Sequence, residues 1–425
     1  MKSLDAKLAE IKANPASRAF ILADAKDADM AFGVRAMGPR HYLSSHGAQA
    51  ARFSPEVWTR EEFGHRNLPE FLDIIREVVG QGLVDIMLMS ASVNEQLAIK
   101  EGLFRKSHVT PAARANDATD VWAVRHGSYL HEPSHPFRSA TIDHIQCGQA
   151  QCDRSADNVP GANLGLYSIT FVNNLEQDLA SLQAFKEFRV EAERKRFRYF
   201  LEVFDPNVAS GIPPEKLGEF INDNIVRSLA GVTSAGRPLF LKIAYHGPRL
   251  MEELAQYDPN LIVGVLGGSA GTTHDAFRLI HDAQKYGARV ALFGRKINNA
   301  EHQLAFIEML RLITDGRIAP DEAVRAYHNI LGKLGLQPKR PLEKDLLLTD
   351  QAMSYGGNPT RVIVPIAANP LTQATAPGAA PSPPAAQAAN APAWPVRPDG
   401  SPDFATMTSA ERRAYDADRL RRRFG

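Results

Sequence analysis

Three apolar runs within residues 237–299 constrain the fold more than any other part of the sequence. They read LFLKIAY, NLIVGVL and RVALF, and amphipathic segments of helical length separate them. Each run is rich in Leu, Ile and Val with little alternation, which is typical of a strand buried on both faces of a parallel sheet. The repeated strand and helix predict an α/β fold, for which we favour a (β/α)8 TIM barrel.

Polar residues and glycines interrupt or follow these runs. Lys242 lies inside the first run, where an ammonium group is costly to desolvate unless it faces a polar cavity. The other two runs are followed by Gly267, Gly268 and Ser269, and by Gly294 and Arg295. The loops after the seventh and eighth strands of such barrels often bind phosphate through backbone N–H groups. A buried lysine beside these loops suggests an enzyme that forms a Schiff base with a phosphorylated carbonyl compound.

The segments LKIAYHGP, VGVLGGSAG and ALFGRKINN resemble the DhnA-type class I aldolases of the DeoC/LacD group, which include archaeal-type fructose-bisphosphate aldolases and the LsrF proteins. The resemblance extends more loosely over residues 18–335. Each segment alone has a plainer interpretation as a strand-edge lysine, a glycine turn or a strand end, but their order and spacing together are more specific. The resemblance implies a phosphorylated small-molecule substrate, a homo-oligomer (a decamer in the family), and no metal or cofactor.

A class I aldolase needs a nucleophilic amine, an acid/base group and a substrate anchor. Lys242 is the candidate amine. Asp24, after a predicted first strand at residues 20–23, and Glu202, inside a predicted fifth strand, are the acid/base candidates. We expect Lys26 or Arg125 to lower the pKa of Lys242 if either points inward. Arg125 ends a predicted third strand at residues 120–125.

The sequence departs from the family pattern at two places. The first-strand segment reads DAKDAD where relatives more usually have Asp-His-Gly. Phe171 occupies the position where several relatives carry a proton-donating tyrosine. Either Tyr245 or Tyr167 would then replace that tyrosine, or the reaction is not the standard sugar-bisphosphate cleavage.

Three functions therefore compete. The first is a Schiff-base aldolase acting on a phosphorylated sugar or related hydroxy-carbonyl compound. The second is an LsrF-like acyl transferase (thiolase) on the same scaffold. The third is a catalytically altered barrel that serves in assembly through its C-terminal tail. We favour the first.

Composition indicates a cytoplasmic globular protein. The net charge is +1 and 44% of residues are hydrophobic, which excludes the broad basic surface that nucleic-acid binding needs. No apolar run reaches the length of a membrane span, and the first 15 residues form an amphipathic segment rather than a secretory signal. We expect Cys147 and Cys152 to be free thiols, in preference to a disulfide or half of a zinc site.

The C-terminal part differs in character from the rest. We predict a barrel domain with an N-terminal helix over residues 1–340, an extension over 341–368, a disordered Ala/Pro-rich linker over 369–406 and an amphipathic helix over 407–425. Thr408 and Glu411 form a capping box at the start of that helix. The helix suits either a protein partner, with recruitment to an assembly or microcompartment, or a frayed solubilising tail.

Overall fold

The computed structural model describes residues 1–14, 16–31, 33–39, 65–268, 271–349 and 394–397, together with separate positions between 402 and 418. The chain divides into two compact units, Met1–Val362 and Ile363–Gly425.

Eight parallel strands form a closed barrel in the first unit. In chain order they are β1 Ile21–Lys26, β2 Ile86–Met89, β3 Thr110–Arg114, β4 Leu164–Thr170, β5 Arg198–Phe204, β6 Leu241–Ile243, β7 Gly264–Leu266 and β8 Val290–Phe293. Each strand pairs with the next, and β8 pairs with β1 to close the barrel. The predicted TIM barrel is confirmed.

Helices connect and surround the strands. Their bounds are Ser3–Ala13, Leu68–Gln81, Ala91–Asn94 continuing as a π-helix over Glu95–Lys100, Ile142–Cys147, Leu175–Arg194, Leu217–Ala230, Pro248–Tyr257, Thr273–Lys285, Arg295–Asn298, Gln303–Thr314, Pro320–Lys333 and Leu342–Asp345. Helix Leu68–Gln81 shows why such segments form: Asn67 and Glu70 make a capping box, and Phe71, Ile75 and Val78 bury one face. Within the described part of the chain, none of the helices is both long and apolar enough to cross a bilayer.

Strand alternation sorts the buried side chains into two layers. The barrel interior holds Ile21, Ala23 and Ala25 of β1, and Leu164 and Leu166 of β4. The layer between the strands and the helices holds the alternate positions, among them Leu22, Met87, Met89 and Phe293. The N-terminal helix contributes Leu4, Leu8 and Ile11 to the interior cluster, so this helix closes the barrel end opposite the strands' carboxyl ends. The alternation decides which polar side chains reach the interior.

The third strand differs from its prediction. It runs over Thr110–Arg114, whereas the predicted residues 120–125 begin with a 3-10 turn, Thr119–Val121. Ala118 and Val121 pack against Phe204, Ala244 and Leu266, which lie at or just beyond the carboxyl ends of β5, β6 and β7. Residues 117–121, here called the mouth plug, therefore sit across the barrel opening. Asp117–Ala118 pairs antiparallel with Pro136–Phe137 outside the barrel, so Ala118 and Val121 are buried by contact with barrel strands of which they are not part.

The expectation of free thiols is wrong, because Cys147 and Cys152 form a disulfide. Cys147 ends a short helix, and Gly148 caps it in the left-handed conformation. That turn brings the chain back so that the two Cα atoms lie 5.6 Å apart, within the usual range for a disulfide.

The start of the predicted extension packs on the barrel. Asp345 accepts a hydrogen bond from the backbone N–H of Thr273, and Leu347 accepts one from the hydroxyl of Thr272. Most of the predicted linker lies outside the described residues. In the second unit, Thr408 and Glu411 form the expected capping box, and the described residues from 410 to 418 are helical.

Candidate active site

A lysine and a glutamate form a buried pair inside the barrel. Lys242 of β6 and Glu202 of β5 are register partners on adjacent strands, and Lys242 Nζ lies 2.5 Å from Glu202 Oε1. Lys242 is 5% exposed and Glu202 is fully buried. The other carboxylate oxygen of Glu202 accepts a hydrogen bond from Ser168 Oγ of β4 at 2.7 Å. Three adjacent strands thus place a hydroxyl, a carboxylate and an amine side by side.

An arginine and an aspartate extend this row across the barrel. Arg114 ends β3, and its guanidinium donates to Asp27 Oδ2 at 2.8 Å and to Ser168 Oγ at 3.4 Å. Asn116 fixes the position of Ser168 through hydrogen bonds to its backbone N–H and carbonyl. A continuous polar network therefore joins Asp27 after β1 to Lys242 on β6.

The same lysine lines a small cavity with the two glycine-rich loops. Its walls include Ala25, Asp27, Lys242, Leu266, Gly267, Gly268, Leu292, Gly294 and Arg295. The structure therefore brings the predicted nucleophile and four of the five predicted phosphate-binding residues to one cavity. The fifth, Ser269, lies outside the described residues. Lys296 Nζ donates to the carbonyl of Gly271 at 2.8 Å and so ties the two loops together.

Close approach excludes a side chain at one of these glycines and crowds it at another. A Cβ atom on Gly267 would lie 2.2 Å from the ring of Phe293, and one on Gly294 would lie 3.2 Å from the carbonyl oxygen of Ala25. Gly268 has a positive φ of 49°. These loops are thus built so that backbone, rather than side chains, lines this part of the cavity, which suits an oxyanion ligand.

Asp24 and Lys26 do not reach this cavity. They occupy the alternate positions of β1, whose register partners Met87, Met89 and Phe293 belong to the layer outside the barrel. Lys26 Nζ donates to both oxygens of Asp24, at 3.0 and 2.7 Å, and both side chains are fully buried. Burial raises the pKa of Asp24 and lowers that of Lys26. The carboxylate of this region that lines the cavity is that of Asp27, directly after β1.

The remaining predicted residues also lie elsewhere. Arg125 is exposed in the segment that follows the mouth plug, and Arg114 occupies the inward position expected of it. Tyr167 stacks on Phe188 in the outer layer, with ring centroids 4.4 Å apart. Tyr245 belongs to the same layer, and burial raises its pKa. Neither tyrosine is among the described residues that line the cavity.

Sequence reasoning missed Arg114, Ser168 and Asn116. Strand alternation along β4 could have predicted that Ser168 faces the barrel interior. Leu164 and Leu166 face the interior, and Ser168 lies two residues further along the strand. Arg114 had no such signal. Its strand reads TPAAR, which has too few large apolar residues to be recognised as a buried strand.

Comparison with known proteins adds to this picture at the level of the fold. No protein-family model and no curated protein match the sequence. The fructose-bisphosphate aldolase from Slackia heliotrinireducens has a TM-score of 0.51 at 12% identity, over 81% of this chain and 92% of its own. The chain shares its barrel fold with that aldolase.

Two further solved structures resemble the chain at lower scores. An archaeal fructose 1,6-bisphosphate aldolase gives a TM-score of 0.49 at 13% identity, over 73% of this chain and 99% of its own. A Schiff-base-forming fructose-1,6-bisphosphate aldolase gives 0.48 at 14% identity, over 72% and 99%.

Proposed function

We propose that the protein is a Schiff-base aldolase that acts on a phosphorylated hydroxy-carbonyl compound. The observation that carries the proposal is the Lys242–Glu202 pair inside the barrel, on a cavity that Gly267, Gly268 and Arg295 also line. An amine, a carboxylate in contact with it and an anion-binding wall are the parts that this reaction needs. The barrel shared with the Slackia heliotrinireducens aldolase agrees with the proposal but does not by itself assign a reaction.

Lys242 is the proposed nucleophile. Its ammonium transfers a proton to Glu202, and the neutral amine attacks the substrate carbonyl carbon to form a carbinolamine. A proton moves from the attacking nitrogen to the alkoxide oxygen, and Glu202 then returns its own proton to the carbinolamine hydroxyl, which leaves as water and produces the protonated imine. The hydrogen bond from Ser168 holds the carboxylate in place during both transfers.

Asp27 is the proposed base for the carbon–carbon bond step. It lines the cavity and is oriented by Arg114. Removal of the proton from the hydroxyl on the carbon β to the iminium carbon forms a carbonyl there and breaks the bond between the α and β carbons. One product leaves as an aldehyde, and the electron pair is held as an enamine on Lys242. Reprotonation and hydrolysis release the second product.

The loops after β7 and β8 are the proposed phosphate site. Glycine backbone and the Arg295 guanidinium would hold the phosphate and so fix the distance between the carbonyl carbon and Lys242 Nζ.

Borohydride trapping tests the reaction class. The purified protein is incubated with fructose 1,6-bisphosphate, dihydroxyacetone phosphate or unphosphorylated dihydroxyacetone, reduced with borohydride and digested for mass spectrometry. We expect a reduced adduct on Lys242, stronger with the phosphorylated compounds, and none in Lys242→Met. Absence of an adduct with every compound would refute the proposal for these substrates, and an amide formed on Lys242 from an acyl thioester without reductant would favour an acyl transferase.

A further inference from the structure

A second cavity lies at the opposite end of the barrel from Lys242. It has a volume of about 650 Å³, within the range of small-molecule sites. Arg289 directly precedes β8 and Arg18 precedes β1, so the cavity opens beside the amino ends of the strands. The walls come from helices Thr273–Lys285 and Pro320–Lys333 and from the turn at Gly316. This cavity is here called the basal groove.

Its charged side chains are mostly cations. Arg18, Lys285, Arg289 and Arg317 line the basal groove, against Glu322 as the one carboxylate among the described lining residues. Glu322 Oε2 accepts a hydrogen bond from the backbone N–H of Ala319, which leaves its negative charge in place, so four cations face one carboxylate among the described lining residues. The groove thus concentrates positive charge in a concave surface, although the whole chain has a net charge of only +1.

The turn at Gly316 positions one of these cations. Gly316 has a positive φ of 70°, and a Cβ atom there would lie 2.4 Å from a guanidinium nitrogen of Arg18, so the glycine lets Arg18 lie against the turn. Arg289 is partly buried, and burial lowers its pKa. An anion that enters the groove would offset this desolvation. Ile313 and Ile318 supply an apolar part of the lining.

We propose that the basal groove binds a small phosphorylated anion that carries two or more phosphate charges. Three of its four cations are arginines, whose planar guanidinium groups donate in pairs to phosphate oxygens. A ligand with several charges can contact Arg18, Arg289 and Arg317 together, whereas a single carboxylate would leave most of the positive charge uncompensated. This site is separate from the proposed active site and does not depend on the aldolase assignment.

Isothermal titration of the full-length protein with inorganic pyrophosphate tests the proposal. We expect saturable binding at physiological ionic strength, weakened about tenfold or more by Arg317→Glu and by Arg289→Glu. Arg317→Glu is the primary variant, since this exposed side chain tolerates change, while the partly buried Arg289 position is more sensitive. Arg227→Glu, exposed on helix Leu217–Ala230 and outside the lining, is the matched control and should bind as the wild type does.

Three results would overturn the proposal. Absence of saturable binding to the wild type is the first. The second is binding that Arg295→Ala abolishes and Arg317→Glu leaves unchanged, because the pyrophosphate would then occupy the loops after β7 and β8. The third is a change of oligomeric state in Arg317→Glu by analytical ultracentrifugation, which would make the groove an interface between copies.

Discussion

Two buried lysine–carboxylate pairs lie on opposite sides of the barrel wall. Lys242 and Glu202 meet inside it, on adjacent strands, and Lys242 also lines the cavity. Lys26 and Asp24 meet outside it, two residues apart on β1, in the layer beneath the helices. The chemical groups are nearly the same. Access to a cavity is what separates a pair that can act on a substrate from one that can only stabilise or destabilise the fold.

The outer pair has the properties of a structural ion pair. Its two side chains are fully buried, and burial shifts both pKa values toward the neutral forms. Removing one partner of such a pair leaves an uncompensated buried group, whereas replacing both by apolar side chains is often neutral. The inner and outer pairs therefore predict different phenotypes for similar substitutions.

The largest expected effect is on the inner pair. Lys242→Arg keeps a cation beside Glu202 but cannot form an imine, so we expect aldolase activity to fall by about a thousandfold or more. Lys242→Ala should be equally inactive. The measurement is turnover with a substrate that gives a borohydride adduct, together with circular dichroism to show that each variant is folded. Substantial turnover by a folded Lys242→Ala protein would remove the distinction between the two pairs.

The outer pair should affect stability instead. Lys26→Met leaves Asp24 buried without its cation, and we expect the free energy of unfolding to fall by about 3–5 kcal/mol. The double variant Asp24→Leu/Lys26→Met should recover most of that loss. Urea denaturation measures both.

Activity provides the control for this second prediction. The folded fraction of Lys26→Met should retain the wild-type kcat, because Lys26 does not line the cavity. A Lys26→Met protein that is as stable as the wild type but inactive would place the outer pair in the catalytic machinery and contradict the comparison.

These pairs also show how far the sequence alone can be taken. The runs around β6, β7 and β8 are long, apolar and separated by helical segments, so they predicted the barrel and the positions of Lys242, Gly267 and Gly294. Whether a side chain points into the barrel or toward the helices changes with every residue along a strand. The prediction ended β1 at residue 23, whereas β1 extends to Lys26. With the strand ending at residue 23, Asp24, Lys26, Asp27 and Asp29 would all follow it together, and no feature of the sequence favoured Asp27, which lines the cavity, over Asp24. The predicted third strand at residues 120–125 was wrong for a different reason. Val121 is buried by contacts with strands far away in sequence, which the local sequence does not reveal.

A substitution at Arg295 tests whether the cavity beside the inner pair binds phosphate. Arg295→Ala should raise KM for a phosphorylated substrate by about tenfold to a hundredfold, in line with about 1.5–3 kcal/mol for a charge-assisted hydrogen bond. KM for the unphosphorylated analogue should change little. Steady-state kinetics with both compounds measures the ratio, and Arg227→Ala is the control for a general loss of positive charge. Equal increases for both compounds would mean that these loops are only turns.

The smallest expected effect concerns Asp29, a half-buried carboxylate beyond the end of β1 whose side-chain hydrogen-bond partner is a hydroxyl rather than a lysine. Its Oδ2 accepts from Ser90 Oγ at 2.6 Å, and burial raises its pKa from 3.8 to about 6. Because the folded protein binds this proton more tightly than the unfolded chain, Asp29 lowers stability progressively between about pH 4 and pH 6, and the loss persists above pH 6.

Asp29→Asn should therefore stabilise the protein at pH 7 by about 1 kcal/mol, after allowance for solvent screening, and by much less at pH 4. Urea denaturation at the two pH values gives the difference, with the exposed Asp223→Asn as control. An equal gain at both pH values would show that the substitution acts through packing rather than through the proton that Asp29 binds.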